Sequence, residues 1–247
     1  MRMNFVKKTL ILLLFVLILP KIYSQNRDQS KSMYNWFDKT LGVGNIGIYN
    51  GIEYRKEYYT KKGNDEFFMS SDFLVGDVVY NTQPYFNILM KYDVFKDRLI
   101  VKLPSQNSFI TIYLIKSKVE NFKINKVYFT KLSIDSSKKN VGFYAVLFED
   151  DYLKTYKKYK KNRKEHLDDG YVYNVFKMDI DYYLFYNNEY FIINSKKDFI
   201  KLFPKYRKEI VAFTNENRSL RKSNYDNYSV QLTRIISDLL ASNNQNL

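Results

Sequence analysis

The chain has 247 residues, no cysteine, one histidine, 24 tyrosines and 19 phenylalanines, and a formal charge of +14 at pH 7. Without cysteine, disulfide frameworks, thiolate metal sites, cysteine nucleophiles and lipid anchoring at a cleavage-site cysteine are excluded, so an aromatic core must hold the fold. The charge surplus either favours anionic partners (phospholipid or lipopolysaccharide head groups, acidic glycans) or serves solubility alone.

Residues 1–24 read as an export signal. Arg2, Lys7 and Lys8 precede the unbroken apolar run Leu10–Leu19, which Pro20 and Lys21-Ile22-Tyr23-Ser24 follow. A basic start, a short apolar stretch and a small residue at the end are what the export machinery and its peptidase recognise. The run is too short for a membrane-spanning helix, which needs roughly 20 residues, so no transmembrane span is expected after cleavage. Cleavage after Ser24 would leave 223 of the 247 residues, starting at Gln25. Taking the segment's four basic residues (Arg2, Lys7, Lys8, Lys21) from 40 leaves 36 against 26 acidic ones, a net +10.

Residues 25–47 read as a polar tether and a glycine-rich lead-in, with one helical turn around Trp36 and Phe37. Gly42-Val43-Gly44-Asn45-Ile46-Gly47 matches G-x-G-x-x-G. That motif receives a pyrophosphate only between a strand and a helix, and neither is predicted beside it. No dinucleotide or other cofactor is expected.

From Ile48 the hydrophobic period is two. Ile48, Ile52, Tyr54 and Tyr58 alternate with Glu53, Arg55 and Glu57, as in a half-buried strand, and Lys61–Asp65 supplies turn residues before Glu66–Ser70. Further strands are predicted at Asp77–Tyr80, at Tyr85–Tyr92 with Phe86, Ile88, Met90 and Tyr92 on one face, and at Leu99–Leu103, ended by Pro104. Phe109–Ile115, Lys118–Ile124, Val127–Ile134, Val141–Phe148, Tyr171–Met178, Tyr182–Tyr186 and Glu189–Ile193 continue the series, with Asn187-Asn188 as a tight hairpin. Residues 48–194 therefore read as a predominantly antiparallel β body, a rolled sheet, barrel or sandwich. At Ser195 the period changes. Ser195–Asp198 resembles a capping box, Pro204 separates a first helix from a second carrying Tyr206, Ile210 and Phe213, and a third opens near Ser223 with Tyr228, Leu232, Ile235, Ile236, Leu239 and Leu240. The class is α+β, with about three helices in residues 195–247 packed on the body.

Little of this carries catalytic chemistry. His166, with Glu165, Asp168 and Asp169, lies in the very polar stretch Lys160–Gly170 and reads as a solvated loop histidine, because a catalytic base needs a shaped, partly dry site. Glu149-Asp150-Asp151 lacks calcium-loop spacing and reads as a turn. The common exported-hydrolase motifs do not occur in matching context, so no catalytic and no metal-ligating residue is assigned. The strongest charge feature is Lys154, Lys157, Lys158, Lys160, Lys161, Arg163 and Lys164, interleaved with Tyr152, Tyr156 and Tyr159. Cations between aromatics suit an anionic-ligand surface. Lysines also protect a strand edge from pairing with another chain, and edge protection or a solvated face is the preferred reading.

Several stretches resemble an uncharacterised family of exported, tyrosine-rich proteins from flavobacterium-like Bacteroidetes. They are Asn50-Gly51 with Glu53-Tyr54, Gly76–Tyr80 with Gln83–Phe86, Lys91–Asp93 with Asp97–Val101, Gly142–Leu147, and Ser195–Asp198 into Leu202-Phe203-Pro204. The resemblance implies an envelope-targeted protein and supplies no activity, cofactor or catalytic residue. The expectation is a non-enzymatic component, periplasmic or on the inner face of the outer membrane, that binds an envelope protein or an anionic envelope component and no nucleic acid. The alternatives are a hydrolase of envelope glycans or peptides with dispersed carboxylates, and a lipocalin-like carrier of an apolar ligand.

Overall fold

The computed structural model describes residues 47–134, 141–168 and 170–244. The signal segment, the turn at Trp36 and Phe37, and residues 42–46 of the glycine motif lie outside the described residues, as does Asp169. Gly47 opens a 3-10 turn, Gly47–Tyr49, ahead of the first strand.

Eleven antiparallel strands form one open sheet among the described residues. They are β1 (Gly51–Glu53), β2 (Leu74–Tyr80), β3 (Gln83–Asp93), β4 (Arg98–Ser105), β5 (Ser108–Leu114), β6 (Val119–Ile124), β7 (Val127–Ser133), β8 (Val141–Glu149), β9 (Lys154–Asp168), β10 (Tyr171–Tyr186) and β11 (Glu189–Ile192). The strand order is β1-β5-β4-β3-β2-β6-β7-β8-β9-β10-β11. Two meanders thus grow in opposite directions from the β2–β6 pair. Helices α1 (Lys196–Leu202), α2 (Arg207–Glu216), α3 (Arg218–Ser223) and α4 (Tyr225–Asn244) follow. None of the described helices is long and apolar enough to cross a membrane.

Local chemistry sets the joints. Both central residues of the turns Asn81-Thr82, Asn125-Lys126 and Asn187-Asn188 have positive φ, the backbone that matches strand twist in a two-residue hairpin and that asparagine tolerates. Ser195 and Asp198 make the expected capping box. Gly76 is required by close approach: a Cβ there would stand 2.3 Å from the Lys123 carbonyl oxygen and 2.7 Å from Met90 Sδ.

The structure corrects five sequence expectations. The strand predicted from Ile48 shrinks to three residues, because β1 is an edge strand paired only with β5. Its Ile52 is exposed although Ile48 is buried. In β3 the burial phase shifts, because Asn87 has a positive φ and the pairing slips between Gly76 and Val78. Tyr85, not Phe86, therefore joins Met90 and Tyr92 in the core. β4 runs through Pro104 to Ser105; its last β3 partner is Lys102, so the missing N–H breaks no β3–β4 bond. Lys160–Gly170 is not a loop: cross-strand pairing to β10 carries β9 to Asp168 and makes β10 one continuous strand. The helical region gains a short additional helix, α3.

Three apolar clusters result. The rolled part of the sheet encloses Tyr80, Met90, Tyr92, Leu99, Phe122, Phe129 and Phe143, none more than 1 % exposed. The helices bury Phe199, Ile210, Tyr228, Leu232 and Ile236 against Tyr182 and Leu184 of the sheet and Leu153 of the β8–β9 turn. A strap, residues 54–73, covers the other face of β4 and β5 through Phe67, Tyr54 and Phe73.

Candidate functional site

The basic run does not form one cationic surface, because a strand sends successive side chains to opposite faces. On the inner face, Lys157 donates to both carboxylate oxygens of Asp226 at 2.8 Å. On the same face, Lys161 donates to the carbonyls of Asp65 (2.6 Å) and Phe67 (2.7 Å) in the strap, and Arg163 stands over the Tyr58 ring with Glu165 at 3.5 Å. On the outer face, Lys154 pairs with Glu149, Lys158 with Asp97 at 2.9 Å, and Lys160 with Asp181 and Asp179. Lys164 alone is exposed with no ion pair among the described residues. β9 has β8 as neighbour only over Lys154–Lys157, while β10 accompanies it throughout. The edge reading thus fits only the distal part of the strand. His166 sits there, exposed and stacked on Tyr173.

Where β8 and β9 part, the β3–β4 turn plugs the gap. Asp97 accepts from Tyr92 Oη (2.5 Å), Lys116 Nζ (2.8 Å) and Lys158 Nζ (2.9 Å), and from the Phe143 amide. Lys158 also donates to the Phe143 carbonyl at 3.0 Å. Burial penalises both charges. For Asp97 it is outweighed by the ammoniums of Lys158 and Lys116 and by the Tyr92 hydroxyl, so its carboxyl lies below the usual range. Lys158 has a single facing carboxylate, which does not offset its burial, and its ammonium is held below the usual lysine range. This network clamps one meander to the other across a sheet that does not close by strand pairing. It also lines a cleft of about 350 Å³ with Gly142, Tyr144, Lys160 and Tyr183.

A second cleft of about 420 Å³ lies on the same face, among Tyr128, Thr130, Val146, Tyr156, Phe185 and Tyr190, with the Glu149–Lys154 pair at its side. The two clefts abut, because Tyr144 and Val146, Lys158 and Tyr156, and Tyr183 and Phe185 are each two residues apart on one strand face. Together they make a trough floored by β7–β11 on the side opposite the helices. Its rings contact one another: Tyr144–Tyr183, Tyr156–Tyr190 and Phe185–Tyr190 have centroids 5.6, 6.1 and 4.9 Å apart. Burial holds the phenols of Tyr128, Tyr144, Tyr156, Tyr183 and Tyr190 above the usual tyrosine range, so each stays protonated near neutral pH and can donate a hydrogen bond.

Elsewhere, polar groups serve structure. Asp150 holds the β8–β9 turn by accepting the amides of Tyr152 and Leu153 and the Ser237 hydroxyl, as the turn reading of Glu149–Asp151 expects. Glu66 and Asp93 are buried carboxyls, each pushed upward chiefly by burial. Arg98 reaches Asp93 at 3.5 Å, and it stacks on Tyr113 while binding Glu57. No group of three or more acidic or histidine side chains among the described residues is placed to hold a metal ion.

The trough was not singled out by the sequence. The signal was the alternate placement of Tyr128 and Leu132 in β7, Tyr144 and Val146 in β8, and Tyr183 and Phe185 in β10, on the face that the helices do not cover. Which face they cover is a tertiary fact. No family model, no curated protein and no solved structure matches this chain.

Proposed function

We propose that the chain is a non-enzymatic envelope component, exported under its first 24 residues, that binds its partner on the outer face of β7–β11. The observation that carries this reading is the contrast between a filled interior and an open, ring-lined trough. Phe122, Phe129 and Phe143 fill the roll with no exposure, which leaves no room among them for the enclosed, aromatic-lined cavity that the carrier alternative needs. The trough gathers apolar rings and a few convergent polar groups in one concavity, which is the usual anatomy of a binding site. The resemblance to exported, tyrosine-rich proteins and the residue 1–24 pattern support the compartment.

The test joins compartment and face. In a producing cell the mature N-terminus is expected at Gln25, within about two residues, in the fraction outside the cytoplasm. The purified protein should be retained on isolated envelope from the same cells, and Tyr128→Ala with Tyr190→Ala should abolish that retention while the protein keeps a single cooperative thermal transition. An intact Met1 on the bulk of the protein would overturn the export part. Retention unaffected by the two substitutions would overturn the binding face.

A further inference from the structure

We infer that the trough on the outer face of β7–β11 is a site for an uncharged, hydroxyl-rich glycan strand, an inference that rests on the binding face proposed above and names its ligand class. Three observations about the trough select that chemistry.

The first is charge. Each ammonium lining the trough already faces a carboxylate of the chain: Lys154 has Glu149, Lys158 has Asp97, and Lys160 has Asp181 and Asp179. A polyanion would have to displace these pairs before its own charge was compensated. A neutral ligand meets a face that is already balanced.

The second is the state of the tyrosine hydroxyls. Tyr144 and Tyr156 are only 3 % and 5 % exposed, and their hydroxyls make no hydrogen bond within the described chain. Yet among the described residues the only buried side-chain polar atoms without a partner are Arg98 Nε and Asn174 Oδ1. The rings are therefore sunk into the sheet while the hydroxyl tips reach the trough. Tyr128 and Tyr190 likewise have no hydroxyl partner among the described residues. The partly exposed rings of Tyr128 and Tyr190, beside hydroxyls that donate and accept, match a sugar's alternation of C–H faces and O–H edges.

The third is the floor. β8, β9 and β10 are interior strands where they line the second cleft, and their backbone groups are engaged in ladders on both sides. A peptide lying in that cleft would find no free edge to pair with, which is how extended peptides gain affinity on sheets; β9 leaves β8 only beyond Lys157, where the Asp97 clamp fills the gap. A glycan needs side-chain partners only. From Lys154 to Lys160 the trough runs about 20 Å along β9, room for several sugar rings in line.

The experiment titrates the full chain with chitohexaose and with cellohexaose, both uncharged, and with heparin as the polyanionic probe, read by calorimetry. Saturable binding of at least one neutral hexasaccharide is expected, with little change from low to high salt because no counterions are released. Tyr128→Ala with Tyr190→Ala should weaken it about tenfold or more, the worth of two aromatic contacts. Tyr171→Ala, which removes an exposed ring at the tip of the β9–β10 hairpin, should leave it unchanged. The inference is overturned if neither neutral hexasaccharide binds, if the paired substitution leaves their binding intact, or if heparin alone binds with steep salt dependence. Envelope retention that needs Tyr128 and Tyr190, without binding of either hexasaccharide, would discard the glycan class and leave the binding face standing.

Discussion

The roll formed by β2–β8 and the helix-backed sheet of β9–β11 bury comparable aromatic mass and secure it differently. Inside the roll, Tyr92, Phe122, Phe129 and Phe143 meet edge to face or stacked, with Phe122 and Phe129 parallel at 4.8 Å. The one polar atom these four rings carry, the Tyr92 hydroxyl, is directed onto Asp97. Under the helices the contact is a polar seam. Asp226, Ser229, Thr233 and Ser237 lie along one side of α4. Three of them bond outward from the helix: Asp226 with Lys157 and with Tyr182 Oη (2.5 Å), Thr233 with Thr155 (3.0 Å), and Ser237 with Asp150 (2.6 Å). Dispersion and burial fill the first region and tolerate many arrangements of similar rings. The seam admits one register of α4 on β9, because a slip by one turn would leave buried donors unpaired. The roll supplies mass and the seam supplies uniqueness.

The largest expected effect is in the roll. Phe122→Ala removes a fully buried ring that packs on three others, and the loss should be about 4 kcal/mol in urea unfolding. A loss near 1 kcal/mol would mean that the roll repacks freely.

Asp97 comes next, since it binds Lys158 and the Phe143 amide across the gap between the two meanders. Asp97→Asn leaves Lys158 and Lys116 facing a neutral amide, and about 3 kcal/mol should be lost, on the order of 10 °C in Tm for a domain of this size. The pH dependence separates this site from the strap. The Asp97 carboxyl titrates below its unfolded value, so its contribution is complete above about pH 4 and is lost as pH falls through the lower folded value. Glu66 and Asp93 titrate above their unfolded values, so the cost of burying them charged is relieved as pH falls through the raised folded values. Stability should therefore rise on mild acidification and then collapse. In Asp97→Asn the rise should persist and the collapse should soften. A wild-type profile that only falls from neutral pH downward contradicts the raised acids.

For the seam, the expected effect is smaller and lies in the coupling. Thr155→Val and Thr233→Val should each cost about 1 kcal/mol, since each leaves the other hydroxyl buried and unpaired. The double substitution should cost less than the sum. Strict additivity in a double-mutant cycle would show that the seam is packing and not hydrogen bonding.

The contrast also explains what could be read from the sequence. Period-two patterning located ten of the eleven strands, and the period change at Ser195, with its capping box, located the helices, because both signals are local. What failed depended on tertiary pairing. Lys160–Asp168 looks like a solvated loop until Tyr171–Lys177 supplies a ladder opposite it. The phase of β3 turns on one left-handed residue, Asn87, whose identity permits that backbone without requiring it. Five cations of the basic run, Lys154, Lys157, Lys158, Lys160 and Lys161, have carboxylate partners on other turns, other strands, the strap or α4, so a run that suited an anionic-ligand surface or a solvated edge consists mostly of intramolecular pairs. The seam was legible in principle, since Asp226, Ser229, Thr233 and Ser237 recur at helical spacing beside the apolar stripe. Polar residues at that spacing ordinarily mark the solvent face.

The smallest expected effect is the one that tests the outer face itself. If Tyr128 and Tyr190 keep their hydroxyls for something outside the chain, removing the oxygens should not disturb the fold. Tyr128→Phe with Tyr190→Phe retains both rings, including the contacts of Tyr190 with Tyr156 and Phe185, and the melting temperature should move by no more than a surface substitution does, within about 0.5 kcal/mol. The same change at Tyr92, whose hydroxyl is bonded to Asp97, should cost about 1.5 kcal/mol or more, because it breaks a hydrogen bond to a charged group inside the clamp. Comparing the two substitutions on one thermal or urea curve measures how far the hydroxyls of the trough are uncommitted within the fold. A loss at Tyr128 and Tyr190 equal to that at Tyr92 would mean that the trough's hydroxyls already serve the structure, and the distinction between a sealed inner face and an open outer one would fail.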